Sequence, residues 1–267
     1  MTLNASQVRL SVVIPVYNEA QRVEEALLRV RAVPLNLELV VVDDGSRDGT
    51  RDVLRRLKDD GLIDVLVLHE QNRGKGAAVR TGFAHATGQV TVIQDADLEY
   101  DPFDLTHLIE PILDGRADAV FGSRFMGGPR RVLYFWHRVG NGVLTLLSNV
   151  FTNINLSDME TCYKMMRTDL LRTLPLRSDR FGIEPELTAR LAQAGARIYE
   201  LPVSYSGRTY AEGKKIGWRD GVAALWHILR ANVLAPRPPR YHPTPLVAAP
   251  ELAAGGLLAD PEEHLSR

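Results

Sequence analysis

Four carboxylates stand within seven positions of one short segment, "QDADLEYDP" (94–102), directly after the apolar run "VTVI". They are Asp95, Asp97, Glu99 and Asp101. Negative charges this close together repel one another unless a cation lies among them. Because Mg²⁺ and Mn²⁺ bind one or two carboxylates together with substrate phosphates, the segment predicts a divalent-cation site that anchors a diphosphate. The alternative is a solvated acidic loop.

A calcium-binding helix-loop-helix motif does not fit the same segment, because Tyr100 and Thr106 stand where its loop needs Gly and Glu. A phosphatase that uses Asp95 as its nucleophile would form an aspartyl-phosphate. That interpretation is disfavoured, because such a nucleophile is expected after the first strand, whereas Asp95 follows the fourth predicted strand.

Two further segments combine turn-forming residues with groups that suit nucleotides. In "VDDGSRDGT" (42–50), the carboxylates of Asp43 and Asp44 end an apolar run and suit hydrogen bonds to a base or a ribose, although a plain turn and helix start would use the same residues. In "NRGKGAAVRTG" (72–82), Gly74, Lys75 and Gly76 precede a helical pattern. This segment matches neither phosphate-loop pattern, so an anion site at the helix N-terminus and a plain turn both stay open.

Short apolar runs alternate with helical patterns through the first 123 residues. Strands are predicted at 10–17, 37–44, 64–70, 90–97 and 117–123, and residues 19–30 carry apolar side chains at the spacing of one helix face. Nearly continuous apolar strands alternating with helices indicate an α/β fold with a mainly parallel sheet covered on both faces. Ligands bind at the carboxyl ends of such strands, which is where the acidic segments lie.

The alternation ends after residue 123. Residues 132–151 are apolar and aromatic with polar interruptions, and a helix at 183–195, a strand at 197–206 and a helix at 218–235 are predicted beyond them. From residue 236 the chain is rich in Pro, Ala and Gly without periodicity, which predicts a disordered tail at 236–267.

The composition limits the partners and the location of the protein. The chain has 267 residues, 45% of them hydrophobic, and a formal net charge of -1, so it can bury a sizeable core and offers no general attraction for nucleic acid. Its one cysteine, Cys162, excludes an intramolecular disulfide and suits a reducing compartment. The first residues do not resemble a signal peptide and no run of about 18 apolar residues occurs, so we expect a cytoplasmic protein.

Five motifs in this order and spacing resemble family 2 glycosyltransferases with the GT-A fold over about residues 9–235: "VVIPVYNEA", "VVVDDGSRDGT", "NRGKGAAVRTGF", "IQDADLEYDP" and "GSRF". Within that family the chain is most similar to dolichyl-phosphate and polyprenyl-phosphate mannose or glucose synthases, on "SDMETCYKM", "FGIEPELTARLAQAG" and "ELPVSYSGRTYAEGKKIGWRDG". The resemblance implies a catalytic domain at 1–235, with a nucleotide-binding half at about 9–124 and an acceptor half at about 125–235.

The resemblance also implies roles for individual residues. The donor nucleotide would be bound by Pro15, Tyr17, Glu19, Asp43, Asp44, Lys75 and Asp95. The cation would be held by Asp95 and Asp97, with Glu99 either a third ligand or a solvent-facing group where near relatives often have Gln. Arg124 would stabilise the leaving group, and Asp158 would be a general base or only a turn residue. The acceptor phosphate would meet Arg138, Arg208, Lys214 and Lys215, with solvated surface charges as the alternative.

The implied reaction is the inverting transfer of a hexose from a nucleotide sugar of the GDP-mannose or UDP-glucose type to a polyprenyl phosphate, with Mg²⁺ or Mn²⁺ as cofactor. A phosphate monoester has a second pKa of about 6, so it is largely an anionic nucleophile at neutral pH and needs little base catalysis. One alternative is transfer to a soluble or glycan hydroxyl group, which requires a general base. Another is a non-catalytic module that binds sugar nucleotides.

The stretch "RRVLYFWHRVGNGVLTLL" (130–147) combines aromatic, apolar and basic residues, as a helix lying in a membrane interface would. Helices that pack on a protein core carry the same kind of apolar face, so that alternative stays open. Peripheral association with the cytoplasmic face of a membrane is the expectation that follows.

Overall fold

A seven-stranded sheet forms the centre of the computed structural model, which describes residues 4–132, 134–209 and 218–246. The strand order is β3-β2-β1-β4-β6-β5-β7. Only β6 runs antiparallel to its neighbours, so the predicted mainly parallel sheet is confirmed. The strands are β1 (Arg9–Val16), β2 (Asn36–Asp43), β3 (Val65–Leu68), β4 (Val90–Ile93), β5 (Ala119–Ser123), β6 (Lys164–Arg167) and β7 (Ile198–Pro202).

Helices follow most strands and cover the sheet. They are α1 (Val23–Arg31), α2 (Thr50–Asp59), α3 (Lys75–His85), α4 (Leu105–Leu108), α5 (Glu110–Leu113), α6 (Phe135–Thr152), α7 (Thr168–Leu171), α8 (Ile183–Gln193) and α9 (Trp218–Leu229), which continues into a π-helical turn (Arg230–Leu234). Helix α3 lies so close to β1 that a Cβ on Gly82 would collide with the Val13 side chain. This contact places the start of α3 beside the carboxyl ends of the central strands.

Strand β6 is the strand of the sheet that the sequence did not predict. It has only four residues, "KMMR", and the charged residues at both ends leave an apolar run of two residues, which is too short to be recognised as a strand from the sequence. Lys164 is nevertheless fully buried, because its ammonium group donates to the carbonyl oxygens of Met159 and Thr161. Strand β6 lies between β4 and β5 in the sheet. Residues 124–163, which connect the end of β5 to the start of β6, therefore form one excursion outside the sheet.

The segment 236–246 lies against the domain, whereas its composition predicts disorder from residue 236. The amide of Tyr241 donates to the carbonyl oxygen of Ala194 at 2.8 Å, and its hydroxyl donates to Asp169 Oδ1 at 2.9 Å. Tyr241 and Leu246 also pack on the hydrophobic core. Composition alone misses contacts of this kind, and residues 247–267 lie outside the described part of the chain.

No helix in the described ranges is both long and apolar enough to cross a membrane.

Candidate active site

The predicted ligand-binding edge is formed by three neighbouring strands, β2, β1 and β4. Asp43 is the last residue of β2, and the acidic segment begins directly after β4. Because these strands are parallel, their carboxyl ends meet at one edge of the sheet. The sheet therefore brings the two acidic segments to the same edge.

The four carboxylates of the acidic segment all have partners, and two of them share Arg208. The Lys75 ammonium lies 2.9 Å from Asp95 Oδ1, and the Arg208 guanidinium lies 2.8 Å from Asp97 Oδ2. Arg208 Nε also donates to Glu99 Oε1 at 2.9 Å. Asp101 instead caps the turn Pro102–Asp104 by accepting from the Phe103 amide at 3.1 Å, so it has a structural role.

Asp95, Asp97 and Glu99 form an acidic cluster whose negative charge is incompletely offset. Burial raises the pKa of Asp97 to about 7, and the neighbouring charges of Asp95 and Glu99 add to this effect against Arg208. Burial would also raise the pKa of Asp95, but the Lys75 ammonium lowers it overall. The position of Asp97 is therefore one where added positive charge would be favourable.

The acidic cluster fits a cation that is shared with a diphosphate. In the described residues, no three His, Cys, Asp or Glu side chains are grouped so that they could hold a metal ion by themselves. Mg²⁺ and Mn²⁺ commonly take only one or two carboxylates and complete their coordination with phosphate and water, so Asp95 and Asp97 suit them. Glu99 accepts from Arg208 and from the Tyr205 hydroxyl at 2.7 Å, contacts that favour a role in holding Arg208; its role as a third ligand stays a prediction.

Asp43 and Asp44, the two adjacent carboxylates at the end of β2, have different hydrogen-bond partners. Asp44 shapes the loop before α3, because it accepts from the amides of Arg73 at 2.9 Å and Gly74 at 2.7 Å and contacts His69. Asp43 Oδ2 accepts from the amides of Gly45 and Ser46, both at 3.1 Å, and from Arg51. Its other oxygen, Oδ1, is buried and accepts no hydrogen bond from any described residue.

The segment "GKG" (74–76), where α3 begins, approaches the segment 178–180 closely. A Cβ on Gly74 or Gly76 would collide with the carbonyl oxygens of Asp179 and Ser178, and Gly74 also has a φ of 96°. This approach brings Lys75 within 3.0 Å of Glu184 Oε1 at the start of α8. Burial lowers the pKa of Lys75, but Asp95 and Glu184 outweigh it and hold the pKa well above its usual value.

Arg124 and Asp158 form a buried bidentate ion pair. Nε and Nη2 of Arg124 each lie 2.7 Å from an oxygen of Asp158, and the amide of Arg124 also donates to Asp158 at 3.1 Å. Asn141 of α6 donates to the same carboxylate at 3.2 Å, and Asp158 is fully buried. Both oxygens are therefore occupied, which favours a role in orienting Arg124 over a role as a general base.

The remaining residues predicted to bind the donor or the acceptor phosphate lie in three different places. Pro15, Tyr17 and Glu19 follow one another at the end of β1, and Glu19 Oε1 lies 3.6 Å from Arg208. Arg138 is exposed on α6, where its guanidinium lies 3.9 Å from the centre of the Phe125 ring and outside the acidic cluster. Lys214 and Lys215 lie outside the described residues.

Sequence reasoning missed three polar residues of the site: Glu184, Tyr205 and Asn141. All three lie in the second half of the chain and contact residues from another segment. Glu184 starts a predicted helix, where a carboxylate is ordinary, so no local signal connects it with Lys75.

Residues 11–174 match the family model for glycosyl transferase family 2. The match agrees with the sheet order and with the acidic cluster at its edge, and the chain belongs to this family. Its fold is the GT-A fold.

Two members of this family are similar to most of the chain. The undecaprenyl-phosphate mannosyltransferase of Micrococcus luteus is 32% identical over 244 residues, which cover 84% of this chain and 99% of the relative. The dolichol-phosphate mannosyltransferase of Pyrococcus furiosus is 29% identical over 78% of this chain, and the chain spans 60% of the length of that relative.

Solved structures also resemble the fold. A mannosyltransferase from Pyrobaculum calidifontis, in complex with GDP-Man and Mn²⁺, is 27% identical with a TM-score of 0.61, over 87% of this chain and 66% of that one. Glucosyl-3-phosphoglycerate synthase from Mycobacterium tuberculosis is 20% identical with a TM-score of 0.63, over 86% of this chain and 81% of that one. At that identity the second comparison supports the fold alone.

Proposed function

We propose that this glycosyltransferase moves a hexose from a nucleotide sugar of the GDP-mannose or UDP-glucose type to a polyprenyl phosphate, with inversion and with Mg²⁺ or Mn²⁺ as cofactor. The observation that carries the proposal is the Asp95 and Asp97 pair at the carboxyl edge of the sheet, between Lys75 and Arg208. The names of the bacterial and archaeal relatives support the lipid phosphate acceptor. The Pyrobaculum structure, with its GDP-Man and Mn²⁺, supports the donor and the cation.

The donor would be bound by residues from three strand ends. Asp43 Oδ1, buried without a partner in the described residues, suits a hydrogen-bond donor on the base or ribose. Asp95 and Asp97 would hold the cation, which when bound offsets the negative charge of the nucleoside diphosphate as it leaves. Lys75 lies beside Asp95 and adds positive charge near the same diphosphate.

The state of Asp158 favours a phosphate acceptor over a hydroxyl acceptor. A hydroxyl group needs a base to remove its proton, but both Asp158 oxygens are held by Arg124 and the residue is fully buried. A phosphate monoester is already anionic at neutral pH and needs no such base. The planar guanidinium of Arg208 suits a phosphate oxygen pair, and its position between Asp97 and Glu19 places it at the cluster where the donor diphosphate would lie.

The test is an incubation of the purified protein with labelled nucleotide sugars, Mn²⁺ and a short polyprenyl phosphate, followed by extraction into organic solvent. Parallel samples contain the matching polyprenol or a soluble glycan. We expect label in the organic phase only with the lipid phosphate, and loss of that label in Asp97→Ala. Transfer to the glycan with refusal of the lipid phosphate would favour the hydroxyl-acceptor alternative, and full activity of Asp97→Ala in chelator would contradict the metal assignment.

Helix α6 supports peripheral membrane association, because its polarity is the reverse of an ordinary surface helix. Its buried residues are the polar Thr145 and Ser148, whereas Trp136 is 76% exposed and Val150 is 68% exposed. Thr145 Oγ1 accepts from the Met159 amide at 3.1 Å, so a polar side chain of the inner face is held by a hydrogen bond. We infer that the apolar outer face, with its neighbour α9, lies in a membrane interface on the cytoplasmic side.

A further inference from the structure

A cavity of about 190 Å³ lies where α9 and its π-helical turn pack against α8. Its lining shares no residue with the acidic cluster. Arg177, Glu186, Trp226, His227 and Arg230 contribute to its wall. π-Helical turns within helices are rare and are frequently found at functional sites.

Around this cavity the carboxylate of Glu186 has several partners, whereas two of the arginines have no carboxylate partner in the described residues. Glu186 Oε2 accepts from the amides of Arg177 at 2.9 Å and Ser178 at 2.7 Å, so much of its negative charge is taken up by the backbone. Its other oxygen lies 4.0 Å from Arg190. Within the described residues, the guanidinium groups of Arg177 and Arg230 have no carboxylate at ion-pair distance.

Arg190 adds a third positive charge behind the wall. Its side chain is fully buried, and Nη1 donates to Gln193 at 2.7 Å and to the carbonyl oxygen of Pro236 at 2.8 Å. Its Nε is buried and has no hydrogen-bond partner in the described part of the chain. Burial lowers the pKa of Arg190, and the like charges of Arg177 and Arg230 lower it further against the effect of Glu186.

Three arginines against one carboxylate leave an excess of about two positive charges at a partly enclosed site, where solvent screens charge poorly. The rim of the cavity is apolar, because Trp226 and Leu234 line it and each exposes more than half of its surface. Exposed Arg177, partly buried Arg230 and buried Arg190 supply positive charge beside apolar side chains, an arrangement that suits a doubly charged phosphate with an apolar ester group.

We propose that this cavity binds a phosphate group, either free or as the headgroup of an amphipathic phosphomonoester. Arg177 and Arg230 contact the phosphate oxygens, and Arg190 contributes its charge from behind the wall. The site is separate from the one proposed for the acceptor phosphate at Arg208. Its occupancy therefore does not depend on the proposed transfer reaction.

The test uses Trp226 as a local reporter of binding. The chain contains three tryptophans, so the background variant Trp136→Phe, Trp218→Phe leaves the indole at the cavity mouth as the only one. Inorganic phosphate and a short-chain phosphatidic acid below its micellar concentration are titrated separately. We expect saturable fluorescence change with at least one probe, and an apparent Kd about tenfold higher after Arg177→Gln with Arg230→Gln.

Matched variants make the result specific. Arg55→Gln removes an exposed guanidinium on α2 and should leave the titration unchanged, as should Arg208→Gln in the acidic cluster. Saturation with inorganic phosphate identifies the free ion as sufficient, and saturation with phosphatidic acid alone identifies a lipid headgroup. No saturable change with either probe, or equal affinity in the double variant, would overturn the proposal. Circular dichroism verifies folding, and the single variant Arg177→Gln, at an exposed residue, replaces the double variant if the latter unfolds.

Discussion

The Arg208 guanidinium and a divalent cation would use the same carboxylate oxygens. Arg208 lies 2.8 Å from Asp97 and 2.9 Å from Glu99, and a bound cation near Asp97 would be repelled by it. We therefore expect Arg208→Gln to bind Mn²⁺ about tenfold more tightly in the absence of nucleotide, as measured by electron paramagnetic resonance of free Mn²⁺.

The same variant should bind the lipid acceptor less well, with a larger rise in KM for polyprenyl phosphate than for the donor. Arg56→Gln, which removes an exposed partner of Glu24, is the control and should leave Mn²⁺ binding unchanged. Weaker Mn²⁺ binding by Arg208→Gln would mean that the guanidinium orders the cluster for the cation instead of competing with it.

Glu160 makes the stability of the fold depend on pH. Burial raises its pKa from 4.5 to about 7, with a further contribution from Glu184, and its Oε1 is buried without a hydrogen-bond partner in the described residues. Because the folded chain binds this proton more tightly than the unfolded chain, its contribution to stability is present below about pH 4.5 and is lost as the pH rises through 7. Glu160→Gln should therefore be more stable than the parent at pH 8 by about 1–3 kcal/mol, and nearly equal at pH 5.

Urea unfolding at the two pH values measures this difference. Glu25→Gln, at an exposed residue on α1, should keep the pH dependence of the parent. An equal decline with pH in Glu160→Gln and in the parent would assign the effect to another group.

Individual site residues were predictable where a local motif carries them. Asp95, Asp97 and Asp43 follow apolar strands, so sequence alone placed them at the ligand-binding edge, and the structure brings them there. The partners of Lys75 and Asp158 were not predictable. Glu184 and Asn141 reach these residues only through packing of α8 and α6, and nothing in the local sequence encodes such contacts.

At the scale of elements, α6 has an apolar outer face that predicts binding to lipid. Replacing Leu146 and Val150 with Glu puts two charges on that face, and both residues are exposed, so the fold should be retained. Each charge placed in an apolar interface is unfavourable by a few kcal/mol, so we expect at least a tenfold loss of bound protein in liposome flotation.

Leu28→Glu on α1 is the matched control, because Leu28 is also a half-exposed leucine on a helix. It should float as the parent does. If the parent stays at the bottom of the gradient, or the double variant floats equally well, then α6 does not bind the membrane.

The aromatic, apolar and basic composition of residues 130–147 suggested a helix here but did not determine which of its faces is buried. The apolar residues at 132–151 predict a helix with an apolar face, and the usual rule turns such a face inward. In the structure the inner face is polar because Asn141, Thr145 and Asn149 bond to the returning segment 156–159. The orientation of α6 thus depends on hydrogen bonds to residues 156–159, and the sequence of the helix alone does not reveal them.

At the scale of the whole molecule, the segment 236–246 ties the end of the described chain to the back of the domain. Tyr241→Phe removes the hydrogen bond to Asp169 and leaves the packing of the ring in place. We expect the free energy of unfolding to fall by about 1 kcal/mol in urea denaturation. Tyr199→Phe, at an exposed tyrosine of β7, is the control with little expected effect, and no loss in Tyr241→Phe would mean that the hydroxyl contributes nothing net.

The fold class was predictable because five strands carry near-continuous apolar runs, and the structure places strands within all five predicted ranges, with shifts of one or a few residues at their ends. Two features of the fold could be recognised only from the three-dimensional structure. Strand β6 is too short and too charged at its ends to be recognised, and the contacts of Tyr241 join residues far apart in the chain. Both depend on long-range pairing, which a local pattern does not record.

The reversal at β6 also bears on how such a protein can change during evolution. The chain leaves the sheet after Ser123 and re-enters it at Lys164, so Arg124, Asn141 and Asp158 all belong to one contiguous stretch. Strand β6 then pairs with both β4 and β5, so the two ends of that stretch are fixed to the sheet. Recombination that exchanges residues 124–163 as a block would therefore replace Arg124, Asn141 and Asp158 together, while leaving Asp43, Asp95 and Asp97 in place at the strand ends.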